Sequence, residues 1–447
     1  MQVTNEVQAS PGDGAGVVRV GLLGCGNVGG ALVEILDRER DAIARHLGVK
    51  LAVTRVAVRS ISNARVETVG AARLTRDAHS VVVDPDVDVV VELIGGIEPA
   101  RELIVAALSA GKPVVTGNKE LLAIYGGELF ALAEEHGQTL LFEAAVGGAI
   151  PLIRALAVSL AGEPIVRVMG IVNGTTNFIL SRMSEDGITY TEALGEAQRL
   201  GFAERDPSAD VEGFDASAKA AILASLAFNA DVVAGDVYRE GIDKVELSDI
   251  DFARRLGYVV KLLAVAERVS DPSACDTEIA VRVHPAMLPV EHPLAGVRGP
   301  FNAVFIEGAH SGEMMLYGRG AGGVPTASAV VGDLIEVASS FSSRFAPRPM
   351  HRDPVKIRPI DELMAQYYVT MDVADRPGVL AAVATAFGAH SVSIRSMEQV
   401  GLGDEARLVF ITHVAKEADL QATLAELGRL DAVRRIGGLL RVIGVER

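Results

Sequence analysis

The densest polar run in the middle of the chain is Glu204-Arg205-Asp206-Pro207-Ser208-Ala209-Asp210-Val211-Glu212-Gly213-Phe214-Asp215-Ala216-Ser217-Ala218-Lys219. Asp215 and Lys219 stand four apart at the start of an Ala/Leu-rich helix, so they share a face. A surface ion pair is the usual meaning of such spacing. The helix continues as Ala-Ala-Ile-Leu-Ala-Ser-Leu-Ala, however, which is apolar enough to be nearly buried. A lysine held beside that surface can be tuned as a proton donor. Both readings stand on the residues alone.

A second set of chemical groups lies near the N-terminus. In Gly24-x-Gly26-x-x-Gly29 the first glycine makes a turn, the second lets backbone approach a pyrophosphate, and the third lets a helix pack on a strand. The helix N-terminus then faces the anion. Cys25 inside this loop is either a redox-active thiol at a helix start or a small side chain that fits. At the end of the second strand, where NAD-preferring proteins place an acidic residue on the ribose, this chain has Arg59-Ser60. A cation there suits the 2′-phosphate of NADP, with NAD still possible; a solvated arginine is the plain alternative. Lys119 follows a short strand at the carboxyl edge of the sheet, where open α/β folds bind ligands. It can polarise a substrate, pair with phosphate, or simply point to water, and Asn118 beside it suits an N-cap. His284, His292 and His310 show no metal-ligand spacing.

These groups need a scaffold, and the pattern supplies one. Aliphatic runs at Val17–Leu23, Leu51–Val58, Val87–Ile94, Val114–Thr116 and Thr139–Phe142 alternate with helical stretches such as Pro99–Ala110 and Leu121–His136. That alternation predicts an α/β, Rossmann-type, doubly wound parallel sheet over residues 17–151. Residues 152–320 mix helices (Glu192–Leu200, Asp215–Asn229, Phe252–Ala266) with strand-like runs (Ile165–Val172, Thr277–Val283, Asn302–Glu307), an α+β pattern. Residues 321–345 hold a helical stretch expected to pack back on the first domain. Residues 346–360 are proline-rich and basic, disfavour helix and sheet alike, and read as a linker. Residues 361–447 read βαββαβ, a ferredoxin-like order.

The 447 residues, 49% of them hydrophobic, are too many for one compact core and too apolar for a disordered chain. A formal charge of −16 disfavours an extended basic face for nucleic acid or anionic lipid. No long uncharged apolar run suggests a membrane span. Residues 1–16 lack the pattern of a signal peptide and read as a flexible tail, so cytoplasmic residence is expected. Cys25 and Cys275 cannot build a disulfide framework.

The chain resembles homoserine dehydrogenase, in the long bacterial form with a C-terminal ACT regulatory domain. The resemblance runs from about Val17 onward. It rests on Gly-Leu-Leu-Gly-Cys-Gly-Asn-Val-Gly, Thr116-Gly-Asn-Lys119, Glu143-Ala-Ala-Val-Gly-Gly-Ala-Ile-Pro151, Asn173-Gly-Thr-Thr-Asn177, the run from Gly201-Phe-Ala-Glu to Lys219, and Gly318-Arg-Gly-Ala-Gly322. It implies interconversion of L-aspartate 4-semialdehyde and L-homoserine with a nicotinamide cofactor. Lys219 would be the acid/base group, Glu204 and Asp215 would hold the substrate, and Lys119 would serve between cofactor and substrate. Asn27, Val28, Arg59, Gly201 and Gly320 would join Gly24, Gly26 and Gly29 at the cofactor. Glu143, Val146, Gly148 and Ile150 would bind a monovalent cation, sodium or potassium, mainly through backbone carbonyls; a Gly-rich hinge is the plain alternative. The second domain would pair subunits into a homodimer or homotetramer. The ACT loop around Asp375, Gly378, Val379 and Leu380 would bind L-threonine as a feedback effector, against the alternative of a domain that only aids assembly. Rival readings are another Rossmann oxidoreductase acting on a small carbonyl, and a non-enzymatic NADP-binding sensor.

Overall fold

The computed structural model describes residues 16–269, 278–342, 355–401 and 403–444. Most of the expected tail, Cys275 and most of the expected linker lie outside them. In chain order the elements are β1 (Val17–Leu23), α1 (Asn27–Arg38), α2 (Arg40–Leu47), β2 (Lys50–Ala57), α3 (Asn63–Val69), β3 (Leu74–Thr75), α4 (Ala78–Val82), β4 (Val89–Glu92), α5 (Ala100–Ser109), β5 (Val114–Thr116), α6 (Lys119–Glu135), β6 (Leu140–Leu141) and α7 (Leu152–Arg154). Next come β7 (Ile165–Ile171), α8 (Gly174–Asp186), α9 (Tyr190–Arg199), α10 (Ser208–Val211), α11 (Phe214–Phe228), β8 (Tyr238–Arg239), α12 (Leu247–Arg255), β9 (Tyr258–Arg268), β10 (Glu278–Pro289), β11 (Phe301–Gly308), β12 (Gly312–Arg319) and α13 (Gly323–Ser342). The chain closes with β13 (Lys356–Ile357), β14 (Met364–Ala374), α14 (Val379–Ala389), β15 (Ile394–Gly401), β16 (Glu405–Thr412), β17 (Ala415–Lys416), α15 (Glu417–Leu427) and β18 (Val433–Val442).

The first of two compact units combines the chain up to Arg154 with α13. Its six strands are parallel in the order β3-β2-β1-β4-β5-β6. Val20, Leu22 and Val91 from the sheet and Leu32, Val33 and Leu36 from α1 share one buried cluster with Val330, Leu334 and Val337 of α13. Strands covered on both faces by helices explain why their sequences run apolar without alternation.

The second unit is built on one long mixed sheet, with β12-β11-β7-β9-β10-β18-β14-β16-β15 as its path. Strands β14, β15, β16 and β18 with α14 and α15 complete the βαββαβ order, closed over Tyr367, Phe387, Phe410 and Leu420. This C-terminal module joins the rest of the unit through β18, which pairs in parallel with β10 at Ala286–Arg441 and Met287–Val442. Two expectations need correction. The helix expected over Phe252–Ala266 ends at Arg255, and Tyr258–Arg268 is strand β9. Gly257, at φ +81°, turns the chain between them, and the Val/Leu/Ala run that follows sits between β7 and β10 as a buried central strand. Inside the expected linker, Lys356 and Ile357 form β13 beside Glu278 and Ile279.

Among the described residues no helix is long and apolar enough to cross a membrane.

Candidate active site

In the first unit the glycine-rich turn joins β1 to α1. Gly24 has φ +96°, and a Cβ on Gly29 would stand 2.3 Å from the Gly24 carbonyl oxygen, so helix and turn approach as closely as glycine alone permits. Gly26 faces open space and caps α1 without a side-chain hydrogen bond. Asn27 and Val28 begin the helix at this turn, and the first N–H groups of a helix suit a pyrophosphate. Arg59 is exposed, two residues beyond β2. Arg65 on α3 ties the two loops together: its Nε donates to the Cys25 carbonyl at 3.2 Å and its Nη1 donates to the carbonyl and, at 3.0 Å, to the hydroxyl of Ser60. Sequence pattern alone does not single out Arg65, because its partners are 40 and five residues away. Burial raises the Cys25 thiol above its usual range, opposed only in part by Arg65, which favours the inert reading of that cysteine.

Lys119 is the first residue of α6, and Asn118 caps that helix by accepting from the Leu121 N–H at 3.1 Å. Below it Thr116 donates to the buried Glu92 at 2.6 Å, and Glu92 also accepts from the N–H groups of Ile94 and Gly95. The strand end that presents Lys119 is thereby fixed.

The turn from Glu143 to Ile150 is almost wholly buried. The Glu143 carboxylate accepts from the N–H groups of Ile153 and Arg154 at 2.8 and 3.0 Å, so it caps α7, and burial raises its pKa. Asp333 on α13 accepts from the Glu143 N–H and from Arg154, both at 2.9 Å. Gly147 and Gly148 both have positive φ. Ile150 presents a carbonyl that already accepts from Leu152 N–H at 2.8 Å, whereas the Val146 and Gly148 carbonyls join no backbone hydrogen bond among the described residues. Buried carbonyls of this kind fit an oxygen-liking cation held by backbone atoms.

In the second unit a buried polar cluster forms where β7, α8 and α11 meet. Lys219 Nζ donates to the Val172 carbonyl at 2.7 Å and to Asp215 Oδ2 at 2.8 Å, and both side chains are buried. The pair therefore sits inside the fold, where surface-pair spacing would not have placed it. Asn173, the N-cap of α8, donates its amide to Asp215 at 2.9 Å and to Asp210 at 2.7 Å while accepting from Thr176 N–H. Asn302 on β11 donates to the same Val172 carbonyl at 2.9 Å. Gly320, just past β12, packs directly on the Asn302 amide. Thr175 holds the turn after α9 through the Phe202 carbonyl at 2.7 Å. Gly201 and Glu204 lie exposed on that turn, and the Glu204 carboxylate makes none of the contacts that join Asn173, Asp210, Asp215 and Lys219. The sequence assigns no role to Asn173, Asp210 or Asn302, although Asn173 opens one of the motifs that carry the resemblance and Asp210 lies in the polar run. No cluster of three or more His, Cys, Asp or Glu side chains suited to a metal occurs among the described residues.

The C-terminal module has a cleft of about 420 Å³ at the start of α14, lined among others by Val373, Asp375, Arg376, Gly378, Leu380 and Gln399. Gly378, at φ +90°, is the N-cap of α14, which begins at Val379.

A parallel sheet with a dinucleotide turn, joined in the same chain to a buried Lys/Asp cluster, defines a nicotinamide-dependent oxidoreductase. Family models for homoserine dehydrogenase (residues 151–335), the homoserine dehydrogenase NAD-binding domain (residues 24–143) and the ACT domain (residues 367–432) match the chain. The homoserine dehydrogenase of Mycobacterium tuberculosis is 47% identical over 435 residues, covering 96% of this chain and 98% of its own. That of Bacillus subtilis is 40% identical, again over 96% and 98%. The crystal structure of a homoserine dehydrogenase from Thiobacillus denitrificans superposes with a TM-score of 0.89 at 40% identity, over 96% of this chain and 99% of its own. A hyperthermophilic archaeal homoserine dehydrogenase mutant in complex with NADPH aligns over 73% of this chain and 98% of its own, with a TM-score of 0.60 at 30% identity. The chain belongs to the homoserine dehydrogenase family, the NAD(P)-dependent oxidoreductases that interconvert L-aspartate 4-semialdehyde and L-homoserine.

Proposed function

We propose that Lys219 is the acid/base group of this reaction. A reduced nicotinamide, when bound, would supply the hydride that the aldehyde carbon receives. Negative charge then grows on the carbonyl oxygen, and the Lys219 ammonium neutralises it and donates a proton; in the reverse direction the amine takes the proton back. The observation that carries this role is the placement of Nζ between Asp215 Oδ2 and the Val172 carbonyl, at 2.8 and 2.7 Å, in a buried site. Two acceptors hold the Nζ group and fix its direction. Asp215 and Glu204 bind the substrate, whose own ammonium calls for carboxylates. Lys119 is a second cationic group of the reaction.

The cofactor is NADP, held by Gly24, Gly26, Asn27, Val28, Gly29 and Arg59, with Lys119, Gly201 and Gly320. The exposed Arg59 suits the 2′-phosphate, and NAD remains a usable alternative. A monovalent cation, sodium in this reading, would rest on carbonyls of Glu143, Val146, Gly148 and Ile150 and stiffen that turn. Residues 17–151 with 321–345 are the dinucleotide domain, 152–320 the substrate and dimerisation domain and 361–447 the regulatory domain of a cytoplasmic homodimer or homotetramer. L-Threonine binds the cleft at Asp375, Gly378, Val379 and Leu380 and inhibits. The test of the acid/base role is Lys219→Ala: turnover should fall by about 10²–10⁴ with NADPH affinity within twofold, and wild-type turnover would overturn it.

A further inference from the structure

The short segment that runs from β8 to Ile242 touches two parts of the second unit at once. On one side is the C-terminal module. Arg441 of β18, 2% exposed, donates Nη1 and Nη2 to Glu240 at 3.1 Å each, and Nε and Nη2 to Glu417 of α15 at 2.9 Å each. One planar guanidinium thus joins two carboxylates in a fixed geometry that an ammonium could not reproduce. The Tyr238 hydroxyl donates to Glu240 as well, and the Glu240 N–H donates to the Val283 carbonyl of β10 at 2.8 Å.

On the other side is the start of α11. The Arg239 guanidinium covers the ring of Phe214, the first residue of that helix, 3.4 Å from its centroid. Ile242 N–H donates to the Val211 carbonyl at 2.8 Å. Gly241 lies so close to this backbone that a Cβ would stand 2.3 Å from the Val211 oxygen. Asp215 follows Phe214 directly, and Lys219 is one turn further on. The segment and the first turn of the helix are packed without slack, so moving one moves the other.

We propose that Glu240 is a positioning residue for the Asp215–Lys219 pair, and that Arg441 makes the C-terminal module a working part of that support. The proposal rests on the catalytic roles assigned above. Loss of the Arg441–Glu240 contact releases segment 238–242 and lets the first turn of α11 drift, misplacing the carboxylate that binds substrate and the ammonium that moves the proton. The module therefore reaches the chemistry through one guanidinium and five residues.

The test uses the full-length chain with no amino-acid effector present. Glu240→Gln, Arg441→Met and the double variant are compared in steady-state NADPH oxidation with aspartate semialdehyde. Each single variant should raise the KM for semialdehyde and lower kcat, each on the order of three- to tenfold, while the KM for NADPH stays within about twofold. The double variant should be no worse than the worse single one, because both remove the same contact. Partial misfolding would lower kcat alone and leave both KM values where they were. Arg239→Gln probes the same segment from its half-exposed side without opening the buried cluster, and should shift the semialdehyde KM in the same direction. Unchanged semialdehyde KM in Glu240→Gln and Arg239→Gln, or losses that multiply in the double variant, would overturn the proposal. Lys219→Ala is assayed alongside: its loss of turnover with no effect at Glu240 and Arg239 removes the positioning role alone, whereas full turnover in Lys219→Ala removes the catalytic assignment beneath it.

Discussion

Lys219 Nζ and Asp215 Oδ2 lie 2.8 Å apart, one turn from each other on α11, and both side chains are buried. A buried pair of this kind differs from a surface pair in what its loss does. Its desolvation has already been compensated by the partner and by Asn173, so removing one member leaves a buried charge without its counter-charge.

Asp215→Ala should therefore destabilise the second unit by about 3–5 kcal/mol and raise the KM for semialdehyde. Asp215→Asn, which keeps the shape and an oxygen to accept from Asn173 but supplies no counter-charge to Lys219, should restore only a small part of the stability and little of the substrate affinity. Thermal melting with parallel kinetics checks this. An Asp215→Ala chain that melts with the wild type would mean that the pair is solvated in solution.

In the proposed cofactor site Arg59 would meet the 2′-phosphate, while Arg65 ties together the Cys25 and Ser60 loops. Arg59→Ala should weaken NADPH by tenfold or more and NADH by less than about threefold, since a lost phosphate contact is worth about 1.5–3 kcal/mol. Arg65→Met, which cuts the tie between the Cys25 and Ser60 backbones, should weaken both cofactors. Dissociation constants from nicotinamide fluorescence measure this, and equal losses in Arg59→Ala would remove that residue from the 2′-phosphate.

How much of this was legible in the sequence depends on how local each feature is. The glycine turn, the βαββαβ order and the i,i+4 spacing of Asp215 and Lys219 are local patterns, and they appear in the structure as β1–α1, the C-terminal module and the first turns of α11. Asn173 meets Asp215 across 42 residues, and Arg441 meets Glu240 across 201, so neither contact leaves a periodic trace. The sequence of β9 suits helix as well as strand because a short buried run of Val, Leu and Ala fits either period. Pairing of β18 with β10 involves only two residue pairs and cannot be read from either strand alone.

Lys261, on β9, offers a test of burial. It is 4% exposed and donates to Asn177 Oδ1 at 3.0 Å and to the Val297 carbonyl, both neutral acceptors. Burial lowers its pKa from 10.5 to about 8. Relative to the unfolded chain the fold disfavours the ammonium, so this residue's contribution to stability is fully present above pH 10.5 and is lost as pH falls through about 8. Wild type should gain melting temperature on Lys261→Met as pH rises from 8 to 10.5. A difference that stays constant across that window would contradict a depressed Lys261.

The proposed effector role of the cleft at α14 is tested by point change, since truncating the module would also strip Arg441 from Glu240. Gly378→Val places a branched side chain at φ +90°, at the helix start that would receive a carboxylate. The threonine concentration giving half inhibition should rise at least tenfold, about 1.4 kcal/mol. Inhibition unchanged from wild type would place the effector elsewhere.

The central claim is that Lys219 moves the proton, and chemical rescue tests it most directly. Lys219→Ala, loaded with NADPH and aspartate semialdehyde, is titrated with small primary amines of graded basicity. The account predicts turnover that climbs with amine concentration and varies with amine pKa, as a general acid should. No rescue by any amine in a correctly folded Lys219→Ala chain, or full turnover without one, would contradict it.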